Sequence, residues 1–188
     1  AEQAANKLPG LLHKYRNRVL IIAAKSCAIN CRYCFRRHFD YDQQDYSEKI
    51  WASWLDYIKS HPEIDEVILS GGEPLLLSDS KLTRLHDALA SLPQLKRLRI
   101  HSRLPLVLPS RINQAFLELA EGSRLDWILV WHINHPNEIS DEIVETAKKC
   151  RLAGITQLNQ SVLLKNINDS AQILATLSGT LFDSNILP

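Results

Sequence analysis

Three cysteines fall within eight residues, Cys27-Ala-Ile-Asn-Cys31-Arg-Tyr-Cys34, directly after the apolar run Val19-Leu20-Ile21-Ile22-Ala23-Ala24. Thiolates are soft ligands, and three on one short loop can hold three irons of a [4Fe–4S] cluster. The fourth iron is then left without a protein ligand, and a small molecule can bind and react there. Zinc is the rival metal. Cys27, Cys31, Cys34 and His38 have the composition of a Cys3His tetrahedron, and the chain would then be a zinc-stabilised interaction module. Burial as three small hydrophobes fits poorly with the interleaved Asn30 and Arg32. A disulfide framework also fits poorly, because the remaining cysteine, Cys150, is far along the chain and suits packing on a helix face.

The other polar residues of interest sit at the ends of apolar runs. Ser70-Gly71-Gly72-Glu73-Pro74, His101-Ser102-Arg103, Trp131-His132-Ile133-Asn134-His135 and Leu158-Asn159-Gln160-Ser161 each close such a run. Five strands are expected, over Arg18–Ala24, Asp65–Ser70, Lys96–His101, Asp126–His132 and Ile155–Val162. Most of them are dense in Val, Ile and Leu, as buried parallel strands are. After the cysteine loop they recur about every 30 residues, the size of a βα unit. Helices are expected between them, started by Ser47, by Ser78 or Asp79, by Ser110, by Ser140 and by Asp169, with Gly154 placed just past a helix end. Alternating βα units imply a parallel sheet, either an incomplete (β/α) barrel or an open doubly wound sheet. In both, the C-terminal strand ends carry the site, which is where the polar residues cluster.

The 188 residues suit one domain, and 22 basic against 21 acidic residues leave no broad footprint for nucleic acid or an anionic membrane. No apolar run approaches a transmembrane span, and the first residues lack the basic and apolar regions of a signal peptide. A reducing compartment, the cytoplasm, is expected. The chain begins at Ala1 and contains no methionine, so it is expected to be a piece of a longer protein.

The C-x3-C-x2-C spacing, with Tyr33 before the third cysteine and Gly71-Gly72-Glu73-Pro74 one βα unit later, resembles the radical S-adenosylmethionine (SAM) enzymes. With both motifs in that order, the cluster is favoured over zinc. The segments CAINCRYCFRR, SGGEPL, SRLPLVLPSRI, HINHPNEI and NQSVLL are together similar to the lysine 2,3-aminomutase family. CRYCFRRHF, RLRIHSRLP and NQSVLLKNIND look most like the branch that supplies (R)-β-lysine for modifying translation elongation factor P.

The resemblance implies an incomplete (β/α) barrel of about five parallel strands over 18–188, truncated before the last strand. An arm over 1–17 would carry contacts to the phosphate of pyridoxal 5′-phosphate (PLP). It implies three cofactors, a [4Fe–4S] cluster, SAM and PLP, and an isomerisation that moves the α-amino group of L-lysine to the β-carbon. It implies an electron donor of the flavodoxin or ferredoxin type, and a functional link to elongation factor P and its lysyl-transferring enzyme. By motif, Cys27, Cys31 and Cys34 are the iron ligands, and Tyr33 lines the adenine side. Gly71, Gly72 and Glu73 meet the SAM amino group, and His132 and Gln160 are further SAM contacts. Arg36 pairs with the substrate carboxylate. Lys14, Tyr15 and Arg18 bind the PLP phosphate, Lys14 standing where the family more often has arginine.

By residue type alone, plainer roles also fit. Arg36 with Arg37 suits a solvated pair, His132 or His135 a core histidine, Arg103 a partner for a structural carboxylate, and Lys14, Tyr15 and Arg18 an ordinary surface. A free-lysine aminomutase of metabolism and an RNA-modifying radical SAM enzyme are the nearest functional alternatives. The family's PLP-bonding lysine and its side-chain-recognising acids lie downstream of residue 188, so neither role passes to Lys165 or Asp169. This stretch alone is expected to turn lysine over poorly or not at all.

Overall fold

The computed structural model describes residues 5–34, 36 and 48–188. The strands are β1 Asn6–Leu8, β2 Leu11–Tyr15, β3 Arg18–Ala24, β4 Glu66–Gly71, β5 Arg97–Ser102, β6 Asp126–Trp131 and β7 Thr156–Asn159. The helices are α1 Glu48–Lys59, α2 Asp79–Ala90, α3 Leu104–Val107, α4 Gln114–Glu121, α5 Asp141–Leu152 and α6 Ala171–Asp183. Strand order follows chain order in one open, mixed sheet. All five expected strands are present as β3 to β7, but the last, expected over Ile155–Val162, is only Thr156–Asn159, with 160–162 outside it. Two further strands, β1 and β2, arise from the segment expected to be an arm. The chain forms two compact units, one reaching to Ile100 with Ser123–Asp126 added, the other made of His101–Gly122 and Trp127–Pro188.

In the first unit β3, β4 and β5 run parallel, with Val19 beside Val67 and Leu69 beside Ile100. Val19, Ile21, Val67, Leu69 and Leu98 are fully buried; β3 and β4 are mostly apolar, whereas β5 alternates Arg97, Arg99 and His101 with the buried Leu98 and Ile100. The β1–β2 hairpin adds to β3 antiparallel. Its turn residue Gly10 has φ of +75°, and a Cβ there would lie 2.9 Å from the Trp54 ring. The Trp54 indole donates to the Pro9 carbonyl at 2.8 Å, so α1 clips the hairpin down. Truncating the buried Trp54 to alanine would cost about 3–5 kcal/mol. Ser47, expected to start α1, lies outside the described residues. Ser78 caps α2 as expected, and the Arg124 guanidinium finishes that helix by donating to the carbonyls of Ala90, Leu92 and Leu95. At the N-terminal strand ends the buried Glu66 pairs with Arg99, and Asp65 with Arg97. These ion pairs lie at the strand ends opposite the cysteine loop.

In the second unit β6 and β7 run parallel, with Val130 beside Leu158. The buried Trp131 indole donates to Gln157 Oε1, and Gln157 Nε2 donates to the Ala147 carbonyl of α5. Ser140 caps α5, and Gly154 follows its end with φ of +76°. Two starts differ from expectation. Asn113, not Ser110, caps α4, because Pro109–Arg111 forms a separate 3-10 turn. Ser170, not Asp169, caps α6, while the Asp169 carboxylate accepts from the Asn166 amide. Beyond α6, Leu187 makes one parallel bridge to Leu158, a pairing on the edge of β7 where the sequence suggested none. Among the described residues no helix is long and apolar enough to cross a membrane.

Candidate functional site

The cysteine loop leaves the C-terminal end of β3. Cys27 is exposed, Cys31 and Cys34 are half-buried, and all three are free thiols. The Cys34 amide donates to the Cys31 carbonyl at 3.1 Å, closing a turn. The Cys27 thiol pKa is raised, first by partial burial, then by the Glu73 carboxylate, then by Cys34 and Cys31. Glu73, Cys34 and Cys31 therefore each lie within electrostatic reach of Cys27. They are not preassembled: among the described residues, no three His, Cys, Asp or Glu side chains stand ready around an ion. The loop has no regular secondary structure, so binding a cluster would have to gather the thiols, as metal binding coupled to local ordering does.

The glycine pair decides how β4 meets this loop. Gly71 has φ of +106°, and a Cβ there would fall 2.3 Å from the Ile22 side chain. A Cβ on Gly72 would fall 2.5 Å from the Ser26 carbonyl oxygen and 2.7 Å from that of Ala24. Only glycine lets the backbone come this close. The Gly72 amide donates to Ala24 O and the Glu73 amide to Ser26 O, both at 2.9 Å. The turn expected to meet SAM thus also pins the root of the cysteine loop. Those two donors are committed, but an ammonium group needs acceptors, and the Glu73 carboxylate is one. Glu73 is buried, and its Oε1 accepts from the Leu75 amide at 3.0 Å.

Past the cysteines, Tyr33 is half-buried on the loop, and Arg36 is buried and donates to Ser70 Oγ at 3.3 Å. Arg37 and His38 lie outside the described residues. Arg36 is thus no solvated cation. It borders a cavity of about 150 Å³ together with Lys14, Tyr15 and Arg18, floored by the apolar Leu12, Val19, Leu20 and Ile68. The guanidinium of Arg18 and the ammonium of Lys14 stand 5.1 and 5.5 Å from the centre of the Tyr15 ring. Arg18 Nε is buried without a hydrogen-bond partner among the described residues. Three cations around an apolar hollow, one with an unused buried donor, form a site for an anion. Its volume is below the roughly 300–1,000 Å³ of a drug-sized pocket, and suits a phosphate-sized group. Sequence reasoning gave Arg36 and the Lys14–Arg18 stretch separate tasks; the fold brings them to one cavity.

In the second unit His132 and Gln160 stand at the C-terminal ends of β6 and β7. The His132 pKa is lowered to about 4, chiefly by burial and then by the Arg103 guanidinium. It is therefore neutral at physiological pH. Its Nε2 is 3.4 Å from His101 Nδ1. Arg103 donates to the His132 carbonyl at 2.8 Å and pairs with Glu138, the structural role that its residue type allowed. Gln160 is exposed, and its amide donates to Trp131 O at 2.9 Å. Cys150 is fully buried, which pushes its thiol to about 12, so it serves packing. Sequence reasoning gave no role to the buried Asn134 and Asn168, although both lie in segments that it singled out.

A sequence model of the Radical SAM superfamily matches residues 21–177, from within β3 into α6. The chain belongs to the radical SAM superfamily. It is 52% identical over 187 residues to an L-lysine 2,3-aminomutase of Haemophilus influenzae and 49% identical to one of Escherichia coli. In each case all of this chain and 55% of the relative are covered. Identity to the L-lysine 2,3-aminomutase of Clostridium subterminale is 35%, over all of this chain and 45% of that one. The chain therefore spans about half the length of the curated relatives it matches. Among solved structures, coproporphyrinogen III oxidase of Escherichia coli, described as a radical SAM enzyme, matches with a TM-score of 0.53 and 17% identity. That match covers 95% of this chain and 44% of that one, and at this identity the likeness is one of fold.

The donor set of this radical SAM chain fits a [4Fe–4S] cluster. Three free thiols share one loop, and a glycine pair that tolerates no Cβ anchors its root. The cavity beside Arg36 fits an anionic group.

Proposed function

We propose that this chain is the radical SAM core of a lysine 2,3-aminomutase that converts L-lysine to β-lysine. The observation that carries the proposal is the proximity, within one unit, of the glycine-pinned three-cysteine loop and a cavity ringed by Lys14, Arg18 and the buried Arg36. When bound, the cluster and SAM supply the radical, and PLP activates the migrating amino group. Cys27, Cys31 and Cys34 hold the cluster and leave one iron open to SAM. Tyr33 lines the adenine side. Glu73, at the turn made by Gly71 and Gly72, accepts from the SAM ammonium, and His132 and Gln160 are further SAM contacts. Lys14, Tyr15 and Arg18 bind the PLP phosphate. Arg36 pairs with the lysine carboxylate, for which a planar guanidinium suits a two-point bond.

Within that family, the segments CRYCFRRHF, RLRIHSRLP and NQSVLLKNIND support the branch that provides (R)-β-lysine for elongation factor P, the EpmB type. An enzyme of this kind requires a flavodoxin- or ferredoxin-type electron donor and a reducing compartment such as the cytoplasm.

The test uses the full-length protein. It is reconstituted anaerobically with iron and sulfide, reduced, and given SAM, PLP and L-lysine. Expected are a brown protein absorbing near ~400 nm and β-lysine as product, both lost in Cys31→Ala. A colourless, zinc-loaded protein would refute the proposal.

A further inference from the structure

The loops that follow β6 and β7 are held by side-chain amides. Asn168 is fully buried. Its Oδ1 accepts from the Leu164 amide at 2.6 Å, and its Nδ2 donates to the carbonyls of Asn134 and Val162 at 2.7 and 2.9 Å. Only one orientation of this amide serves one N–H and two carbonyls at once. Asn134, also buried, accepts from the Val162 amide at 2.8 Å. Asn159 Oδ1 accepts from the Ile133 amide at 2.9 Å, and its Nδ2 donates to Ile133 O at 3.0 Å and Ser161 Oγ at 2.8 Å. Ser161 Oγ donates to Ile133 O at 2.7 Å.

Residues 160–164 form neither helix nor strand, so ladder bonds cannot satisfy their backbone groups. Asparagine side chains pair the Val162 and Leu164 amides and the Val162 carbonyl instead, while the Gln160 backbone amide donates to Trp131 O. Leucine has the same branched outline as asparagine but none of its hydrogen-bonding groups. The amide adds direction, and a fully paired buried network specifies one conformation. Two residues lie inside this clamp. His132 directly precedes Ile133, and Gln160 lies between Asn159 and Ser161.

We propose that Asn168, acting with Asn134 and Asn159, is a positioning residue that fixes the loops after β6 and β7 so that His132 and Gln160 present their side chains to SAM. This rests on His132 and Gln160 being SAM contacts, and the experiment separates the two ideas.

Full-length protein is reconstituted with iron and sulfide, and SAM affinity is read from the change in the electron paramagnetic resonance spectrum of the reduced cluster. Hydrogen exchange across residues 160–168 is followed without any ligand. Asn168→Asp keeps the acceptor for Leu164 but turns a carboxylate toward two carbonyls. Exchange protection at Val162 and Leu164 is expected to fall at least about tenfold, and SAM affinity about tenfold, while PLP affinity stays within about twofold. Global destabilisation would weaken both ligands together and overturns the proposal. Gln160→Ala calibrates the SAM readout. If it weakens SAM and Asn168→Asp does not, the positioning role is wrong and the contact stands. If neither Gln160→Ala nor His132→Gln weakens SAM, the contacts are wrong and the positioning role falls with them. Should Asn168→Asp fail to fold, Ser161→Ala removes two clamp bonds, to Ile133 O and from Asn159 Nδ2, at an exposed residue. It is expected to weaken SAM by roughly threefold, and an unchanged affinity overturns the proposal.

Discussion

Replacing Gly72 with alanine should uncouple β4 from the cysteine loop. The added Cβ would sit 2.5 Å from the Ser26 carbonyl oxygen, 2.7 Å from that of Ala24 and 3.0 Å from the Lys25 carbonyl carbon. All three are backbone atoms, so no side chain can swing away to make room. The strands must part or the loop must move, and either stretches the 2.9 Å bonds from the Gly72 and Glu73 amides. Overpacking costs about 1–3 kcal/mol, and each weakened bond about 1 kcal/mol. A loss of about 3 kcal/mol is therefore expected in urea unfolding. The loop would also lose its anchored root, so the iron bound after reconstitution should fall with stability. Gly179 is the internal control. It lies within α6, and a Cβ there meets nothing within 4 Å. Gly179→Ala should then stabilise by about 0.8–1 kcal/mol, the difference in helix propensity. If Gly72→Ala unfolds at the wild-type midpoint and binds iron normally, the anchoring role of the glycine pair is wrong.

Three further outcomes are expected. The His132 pKa falls from its ordinary 6.5 to about 4 on folding, so the unfolded chain takes up the proton first as pH drops. Stability should fall between pH 6.5 and 4, by about 2 kcal/mol at pH 5 relative to pH 7.5, and His132→Gln should flatten that part of the profile; an unchanged profile in the variant would count against the burial of this ring. Arg18→Gln should weaken PLP binding by about tenfold or more, as loss of a charged hydrogen bond predicts. It should leave iron content unchanged, with equilibrium dialysis and iron assay as the checks. In the native apoprotein at pH 8, iodoacetamide should label Cys27, Cys31 and Cys34 but spare Cys150, whose thiol is buried and shifted to about 12; peptide mapping that finds Cys150 labelled as fast as the others would contradict its packing role.

Much of the fold was legible because it is locally encoded. Arg18–Ala24 and Asp126–His132 announce themselves as strands, since a strand buried on both faces has little room for polar side chains, while β5 shows the alternation of a strand with one face less buried. Ser78, Ser140 and Gly154 mark helix ends because the orphan backbone groups there need a hydroxyl or a left-handed residue. The β1–β2 hairpin was not legible. Lys14, Tyr15 and Arg16 look like a polar arm, and their place in a strand depends on β3 and on Trp54, some forty residues away. The start of α4 was misjudged because Ser110 and Asn113 are both good caps. Only the 3-10 turn at Pro109–Arg111 decides between them.

For the site, the residue types and spacing at Cys27, Cys31 and Cys34 were enough to mark a thiolate metal loop, because ligand softness and loop length are local properties, while favouring a cluster over zinc needed the Gly71-Gly72-Glu73-Pro74 turn as well. Parallel pairing of β3 with β4 decided that Gly72 presses on the root of that loop. The same sheet decided that Arg36 shares a cavity with Lys14 and Arg18, and side-chain amides on two different loops decided what holds His132 and Gln160. Those contacts join residues far apart in the chain, and a linear pattern carries no information on which distant backbone will lie within 3 Å of which.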